Sequence, residues 1–186
     1  LSSASKIAAD QLANSYYLSY GVPVITLRPF NTYGPRQSLR AIIPTIICQI
    51  LSGKKKIKLG SLKPTRDFTY ISDTVSAFVK ALKSKNAIGK TINIGSGYEI
   101  SIKDLVKVIT NQTEEKISIL NDKTRVRPSK SEVNRLCCSN KLAKKILNWQ
   151  PLFKGKSGLI KGIKETIKWF SLEENIKKYK PDNFTF

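Results

Sequence analysis

The sequence predicts an α/β fold, on three observations. Short β-rich runs alternate with segments of helical spacing, turn-forming residues separate them, and the order strand, helix, strand, helix persists along most of the 186 residues. Residues 4–20 place Ile7, Leu12, Tyr16 and Tyr20 at three- to five-residue spacing, with Gly21 as a stop, which predicts a helix. "PVITLR" (23–28) reads as a buried strand, and "PFNTYGPRQS" as a turn-rich segment leaving its carboxyl end, where open α/β sheets carry ligands. Residues 41–52 read as an apolar helix ended by Gly53, "KKIKLG" and "RDFTYI" as strands, and Asp73 as the cap of a helix through "TVSAFVKAL". "TINIGSG" gives a strand and an ordinary turn, and Ser101 with Asp104 a capped helix through Val108. "KISIL" is a further strand, "NDKTRVRPSKSEVNR" a long polar loop, and 140–147 and 157–170 are closing helices before a loose tail.

Composition narrows the function classes. With 40% hydrophobic residues the chain supports one sizeable core or a domain plus a fragment of another, one or two packing units at most. No signal-peptide pattern opens it, and the apolar run "AIIPTIICQIL" is interrupted by Pro44 and Gln49, so the expectation is a soluble cytoplasmic protein without a membrane partner. Cys48, Cys137 and Cys138 lack metal-ligand spacing and histidine is absent, so reduced structural thiols and no metal are expected. Lys and Arg outnumber Asp and Glu by 33 to 13, a formal charge of +20 that favours anionic partners. Nucleic acid or a phosphate-bearing ligand fits that charge, and so does a lysine-rich solvated surface. The lysines are scattered over helical faces without interleaved aromatics, which disfavours nucleic acid. No glycine-rich G-x-G-x-x-G turn is present to cradle a dinucleotide pyrophosphate, and "GSG" at 95–97 lacks the spacing.

Four stretches taken together, "SASKIAAD", "LRPFNTYGPRQ", "TRDFTYISD" and "RPSKSEVNRL", resemble the extended short-chain dehydrogenase/reductases, in particular the NAD-dependent nucleotide-sugar epimerases and 4,6-dehydratases. The likeness runs from residue 2 to about residue 170, and its details look most like the UDP-N-acetylglucosamine-type 4,6-dehydratases. The resemblance implies the carboxyl-terminal end of a doubly wound Rossmann-type domain over residues 1–40, a smaller mixed α/β substrate-binding domain over 41–170, and a tail over 171–186. It implies NAD as cofactor in the complete protein, a UDP-sugar as substrate, and a homodimer.

The same resemblance assigns residues. In the family a tyrosine four residues before a lysine takes a proton from the sugar while the lysine holds the nicotinamide ribose and lowers the phenol's pKa. Lys6 fits that lysine, and Ser2 stands where the tyrosine would be. A serine hydroxyl is a far weaker acid and too short to replace a phenol, so Ser2 is a poor base. Pro29 and Phe30 map beside the nicotinamide, Asn31 onto the sugar or diphosphate, and Arg66 and Arg127 onto two guanidinium clamps of the diphosphate. Arg36 is either a turn residue or an anion contact, and Glu132 and Arg135 are further candidates for the nucleotide. Asp67, Tyr70 and Asp73 read as structural, Trp149 as a core anchor, and Ser139 or Asn140 as the cap of the next helix in place of an aspartate lost at Cys138. The expectation is a 4,6-dehydratase fragment, inactive alone. A 4-epimerase fragment and a non-catalytic basic binding module are the alternatives.

Overall fold

The computed structural model describes residues 2–122, 124 and 133–179. Helix α1 (Ser2–Tyr20) precedes β1 (Thr26–Pro29), which pairs in parallel with β5 (Thr91–Ile94). After Phe30 the chain enters β2 (Asn31–Tyr33), parallel to β4 (Thr65–Tyr70), which is antiparallel to β6 (Glu99–Ser101). A third pair, β3 (Lys56–Leu59) with β7 (Ser118–Asn121), is also parallel. Helices α2 (Ile42–Leu51), α3 (Ile71–Leu82), α4 (Ile102–Thr113), α5 (Lys141–Leu147), α6 (Gly155–Phe170) and α7 (Glu173–Ile176) complete the α/β architecture.

The β1–β5 pair carries helices on both faces. Ile25 and Leu27 of the β1 segment join Ile92 and Ile94 of β5 in a core with Ala77 and Ala81 of α3 and Ala143, Leu147 and Trp149 at α5. The alternate residues Thr26, Arg28 and Thr91 line a cleft of about 180 Å³ with Asp10, Asn14 and Tyr17 of α1. This two-sided cover is the doubly wound pattern. The second core gathers around α2, apolar on nearly every side, with Ile57 and Leu59 of β3, Phe68 of β4, Leu105 and Ile109 of α4, and Ile163 and Phe170 of α6. Pro44 falls in the first turn of α2, where its missing N–H removes no helical bond.

Several elements differ from the sequence expectation. The "PFNTYGPRQS" segment holds a short strand, β2, because Asn31–Tyr33 find the edge of β4. Asp73 does not cap α3, which starts at Ile71 after Tyr70. Instead its buried carboxylate accepts the N–H groups of Leu152 and Phe153, each at 2.9 Å, and fixes the turn into α6. Asn140 stands before α5 without capping it, its side chain being spent on Gly95. Beyond Phe170 the chain forms α7, and the Tyr179 ring packs on Trp169 and Phe170. Ser101 caps as expected, accepting the Asp104 N–H at 3.0 Å, although α4 continues to Thr113. Trp149 is a core anchor, 1% exposed with its Nε1–H donated to Ser76 Oγ at 2.8 Å.

Two glycines of α6 let other chain segments reach the helix axis. A Cβ at Gly158 would lie 2.1 Å from the Phe153 carbonyl carbon, and one at Gly162 2.1 Å from the Tyr33 hydroxyl, which donates to the Leu159 carbonyl. Helix propensity alone favours Gly158→Ala by about 1 kcal/mol. The backbone approach reverses that sign: Gly158→Ala is expected to lower unfolding free energy by about 2 kcal/mol in denaturant titration, and an unchanged or raised midpoint would contradict this packing.

Candidate functional site

The carboxyl ends of β1 and β5 meet the middle of β4, at Asp67 and Phe68, in one place. The Phe30 N–H still bonds Ile94 of β5 at 2.7 Å, while its neighbour Asn31 already pairs with Phe68 of β4. Residues 29–31 are therefore the crossing from one sheet to the other, at the end of an open parallel sheet where ligands bind. The Asn31 amide donates to the Asp67 carbonyl at 2.9 Å, so one of its two N–H groups braces the crossing.

Asp67, fully buried, organises the turn beyond β5. Oδ1 accepts the Ser96 N–H at 2.8 Å and its hydroxyl at 2.6 Å; Oδ2 accepts the N–H of Gly97 at 2.9 Å and of Cys138 at 3.0 Å. Asn140 grips the same turn from the other side, with Oδ1 accepting the Gly95 N–H at 3.1 Å and Nδ2 donating to the Gly95 carbonyl at 2.7 Å. Gly95 has no room for a side chain, since a Cβ there would stand 2.2 Å from that of Cys138, and Gly97 adopts φ +73°. Burial, with Asp67 alongside, pushes the Cys138 thiol up to about 12, so it is an inert thiol that donates to Asn140 Oδ1 at 3.3 Å.

Arg66 is half-buried, with Nη1 donating to the Thr65 carbonyl at 2.8 Å. Strand alternation puts it on the same sheet face as Phe68, the register partner of Asn31. Arg66 and Asn31 thus share one face. Thr65 also receives residues 134–136, donating its N–H to Asn134 at 2.9 Å and accepting that of Leu136 at 3.2 Å. Arg135 pairs with Glu99 at 2.6 Å, and Thr65 Oγ1 donates to the same carboxylate at 2.7 Å. These hydrogen bonds from Arg135 and Thr65 hold the Glu99 carboxyl below the ordinary glutamate range. Arg127 and Glu132 lie outside the described residues.

On α1, Asp10 fixes the helix against β1 through Arg28, with Nη2 at 2.7 Å and Nε at 2.9 Å. Lys6 is one turn earlier on the same face, and α1 runs opposite to β1. Its exposed side chain therefore stands toward the Pro29 end of the strand. Ser2 belongs to the same helix. Arg36 is exposed in the turn after β2 at φ +65°, a left-handed conformation costing a non-glycine residue roughly 1 kcal/mol. A separate cleft of about 640 Å³ between β6, α4 and α6, lined by Tyr98, Glu99, Lys107 and Lys156, contains no residue of the crossing.

Residues 3–161 match the family profile described as GDP-mannose 4,6 dehydratase. The chain belongs to that family. Among curated members it is 34% identical over 185 residues to the human dTDP-D-glucose 4,6-dehydratase, covering 95% of this chain and 49% of that protein. The solved dTDP-glucose 4,6-dehydratase of Bacillus anthracis, in complex with NAD, superposes with TM-score 0.79 at 28% identity, over 92% of this chain and 52% of that one. The UDP-glucuronic acid 4-epimerase of Bacillus cereus, in complex with UDP-glucuronic acid and NAD, gives 0.79 at 27% identity, over 93% and 51%. The chain thus spans about half the length of these family members. In this 4,6-dehydratase-family chain no described helix is long and apolar enough to cross a membrane.

The grip of Asp67 on residues 96–97 and 138 is not legible in the sequence beyond a structural carboxylate and an ordinary turn; the one available signal is a pair of glycines beside a strand end. Asp67→Asn leaves one acceptor oxygen facing four donors, and is expected to cost about 3 kcal/mol of stability in chemical denaturation. A loss under about 1 kcal/mol would contradict the assignment.

For Glu99 the sign follows from its lowered value: the contribution of its contacts is complete above the ordinary glutamate pKa of about 4.3 and disappears as pH falls through the lower folded value. NMR titration should show the Glu99 carboxyl and the Thr65 and Leu136 amides moving together below pH ~4.3. Movement at or above that pH would contradict it.

Proposed function

We propose that this chain is the sugar-nucleotide-binding part of an NAD-dependent nucleotide-sugar 4,6-dehydratase, with a UDP- or dTDP-hexose as substrate. The observation that carries the reading is the shared face of Arg66 and Asn31 at the crossing from β1 to β2, beside the end of α1 that bears Lys6. Arg66 supplies a planar fork of donors for a diphosphate oxygen pair, and the second N–H of Asn31 is available to a phosphate or sugar oxygen. Arg127, in the loop whose far end pairs with Thr65, is the second guanidinium of the reading, and Arg36 the anion contact at the rim.

Lys6, Pro29 and Phe30 would hold the nicotinamide-ribose end of NAD, the ammonium toward the ribose hydroxyls and the strand end against the ring. When bound, that group supplies the hydride acceptor for oxidation at C4 of the sugar. The fit is partial, because these residues include no glycine-rich turn for the pyrophosphate. Ser2 in the proton-abstracting position removes the base, so this chain binds sugar nucleotide without turning it over. The likeness to a UDP-glucuronic acid 4-epimerase favours one second reading, in which the oxidised sugar turns and is reduced on its other face.

Calorimetry with UDP-glucose and dTDP-glucose tests the proposal. Binding is expected to weaken about 10-fold or more in Arg66→Ala, as for loss of a hydrogen bond to a charged group. No binding, or equal affinity in the variant, would overturn it, as would a stronger, steeply salt-dependent affinity for DNA. The chain alone is expected to show neither stoichiometric NAD binding nor dehydratase turnover; NAD carried through purification would contradict that part.

A further inference from the structure

Glu99 makes more contacts than an ordinary exposed ion pair. The pairs Lys107 with Asp104 and Lys177 with Glu173 each span a single helical turn, and Lys55 with Glu115 joins two exposed side chains. Glu99, on β6, accepts from two separate elements instead. Its Oε1 takes the Arg135 Nε at 2.7 Å and Nη2 at 2.6 Å, and its Oε2 takes the Thr65 hydroxyl of β4 at 2.7 Å. Arg135 and Thr65 are themselves opposite each other in an isolated parallel bridge. That bridge consists of one backbone bond in each direction, from the Thr65 N–H to Asn134 and from the Leu136 N–H to Thr65.

The clamp lies on the sheet face away from the proposed ligand contacts. Thr65 and Asp67 alternate with Arg66 along β4, and Glu99 is the register partner of Asp67, so the Glu99 side chain is on the Asp67 face and Arg66 on the other. Glu99 therefore reaches Arg66 only through Thr65. The Thr65 carbonyl is shared, accepting the Leu136 N–H at 3.2 Å and Arg66 Nη1 at 2.8 Å. The second of these bonds fixes the plane of the guanidinium fork, and a fork must lie in the plane of the oxygen pair it grips. The carbonyl keeps its orientation as long as residues 134–136 stay on β4. An isolated bridge at the first residue of a strand is a weak hold, and Glu99 closes it by joining its two residues side chain to side chain.

We propose that Glu99 is a positioning residue for Arg66: by clamping Arg135 to Thr65 it holds the Thr65 carbonyl where that carbonyl sets the guanidinium plane, and so raises the affinity for a nucleotide diphosphate without touching it. This role rests on the reading of Arg66 as the diphosphate contact. When the carboxylate is removed, the Arg135 side chain, 75% exposed, goes to solvent, and the Thr65 hydroxyl loses its acceptor. The Leu136 N–H then leaves the Thr65 carbonyl, which turns and takes the Arg66 fork with it. A purely structural Glu99 would act otherwise. Its loss would lower affinity by the same factor whether or not Arg66 is present.

The test uses the full chain and two readouts, the Arg66 Nε–H resonance without ligand and calorimetry with UDP-glucose. Glu99→Ala should shift the Arg66 resonance and speed amide exchange at Leu136. Its affinity for UDP-glucose should fall about 5-fold, while in an Arg66→Ala background the same substitution should change affinity by less than about 2-fold. Arg135→Ala, at an exposed position, should reproduce these effects with β6 untouched, and decides the matter where Glu99→Ala does not fold. An unmoved Arg66 resonance, an unchanged affinity, or an equal loss in both backgrounds would each overturn the proposal. If the unmodified chain does not bind UDP-glucose, the sugar-nucleotide reading fails, and the Arg66 resonance still decides whether Glu99 positions that side chain.

Discussion

The carboxylate of Asp67 is the constraint on which the arrangement depends. The β1–β5 pair and the β2–β4–β6 sheet share no strand; residue 30 links them covalently, and Asp67, on the second sheet, holds the turn that leaves the first. Its fourth donor, the Cys138 N–H, brings in the segment leading to α5. A buried carboxylate is costly unless its oxygens are filled, and here both oxygens accept two hydrogen bonds each, from the buried Ser96 and Cys138 among others. Losing the carboxylate therefore strands the donors as well, which is why one side chain can set the relation between two sheets.

That relation fixes the geometry of the candidate site. With the 95–97 turn drawn under β4, the crossing at Pro29–Asn31 is held between β5 and β4, and the Arg66 side chain enters on the same face as Asn31. The Arg28–Asp10 pair sets α1 against β1 and thereby the height of Lys6 along the strand. The second sheet is anchored from behind, where Gly158 and Gly162 let Phe153 and Tyr33 close on α6, and Asp73 fixes the entry to that helix. Little of the +20 charge is needed for this: the described basic residues proposed for the site are Lys6, Arg36 and Arg66, while the lysines of α6 occupy its solvent face.

Much of the fold was legible in the sequence because it rests on local signals. The periodicity of 4–20, the Ser101–Asp104 pair and the run "TINI" specify their own elements. What failed involved partners far along the chain. Asp73 looks like a cap until Leu152 and Phe153 arrive, 79 and 80 residues later, and Asn140 looks like a cap until Gly95 claims it, 45 residues earlier. The strand at 31–33 is invisible locally, since three residues among turn formers become a strand only beside β4. At the candidate site the sequence names Lys6, Pro29, Phe30, Asn31 and Arg66 from motif context, whereas the support beneath the crossing, made of Asp67, Gly95, Ser96 and Asn140, depends on contacts that no spacing encodes.

The crossing point is proposed to hold the sugar nucleotide. An amide and Arg side-chain NMR map of the chain titrated with UDP-glucose tests it most directly. Saturable shifts are expected to concentrate at Phe30, Asn31, Arg66, Ser96 and Gly97, with the α4–α6 cleft around Lys107 and Lys156 silent. Shifts confined to that cleft, or spread evenly over the exposed lysines, would contradict it.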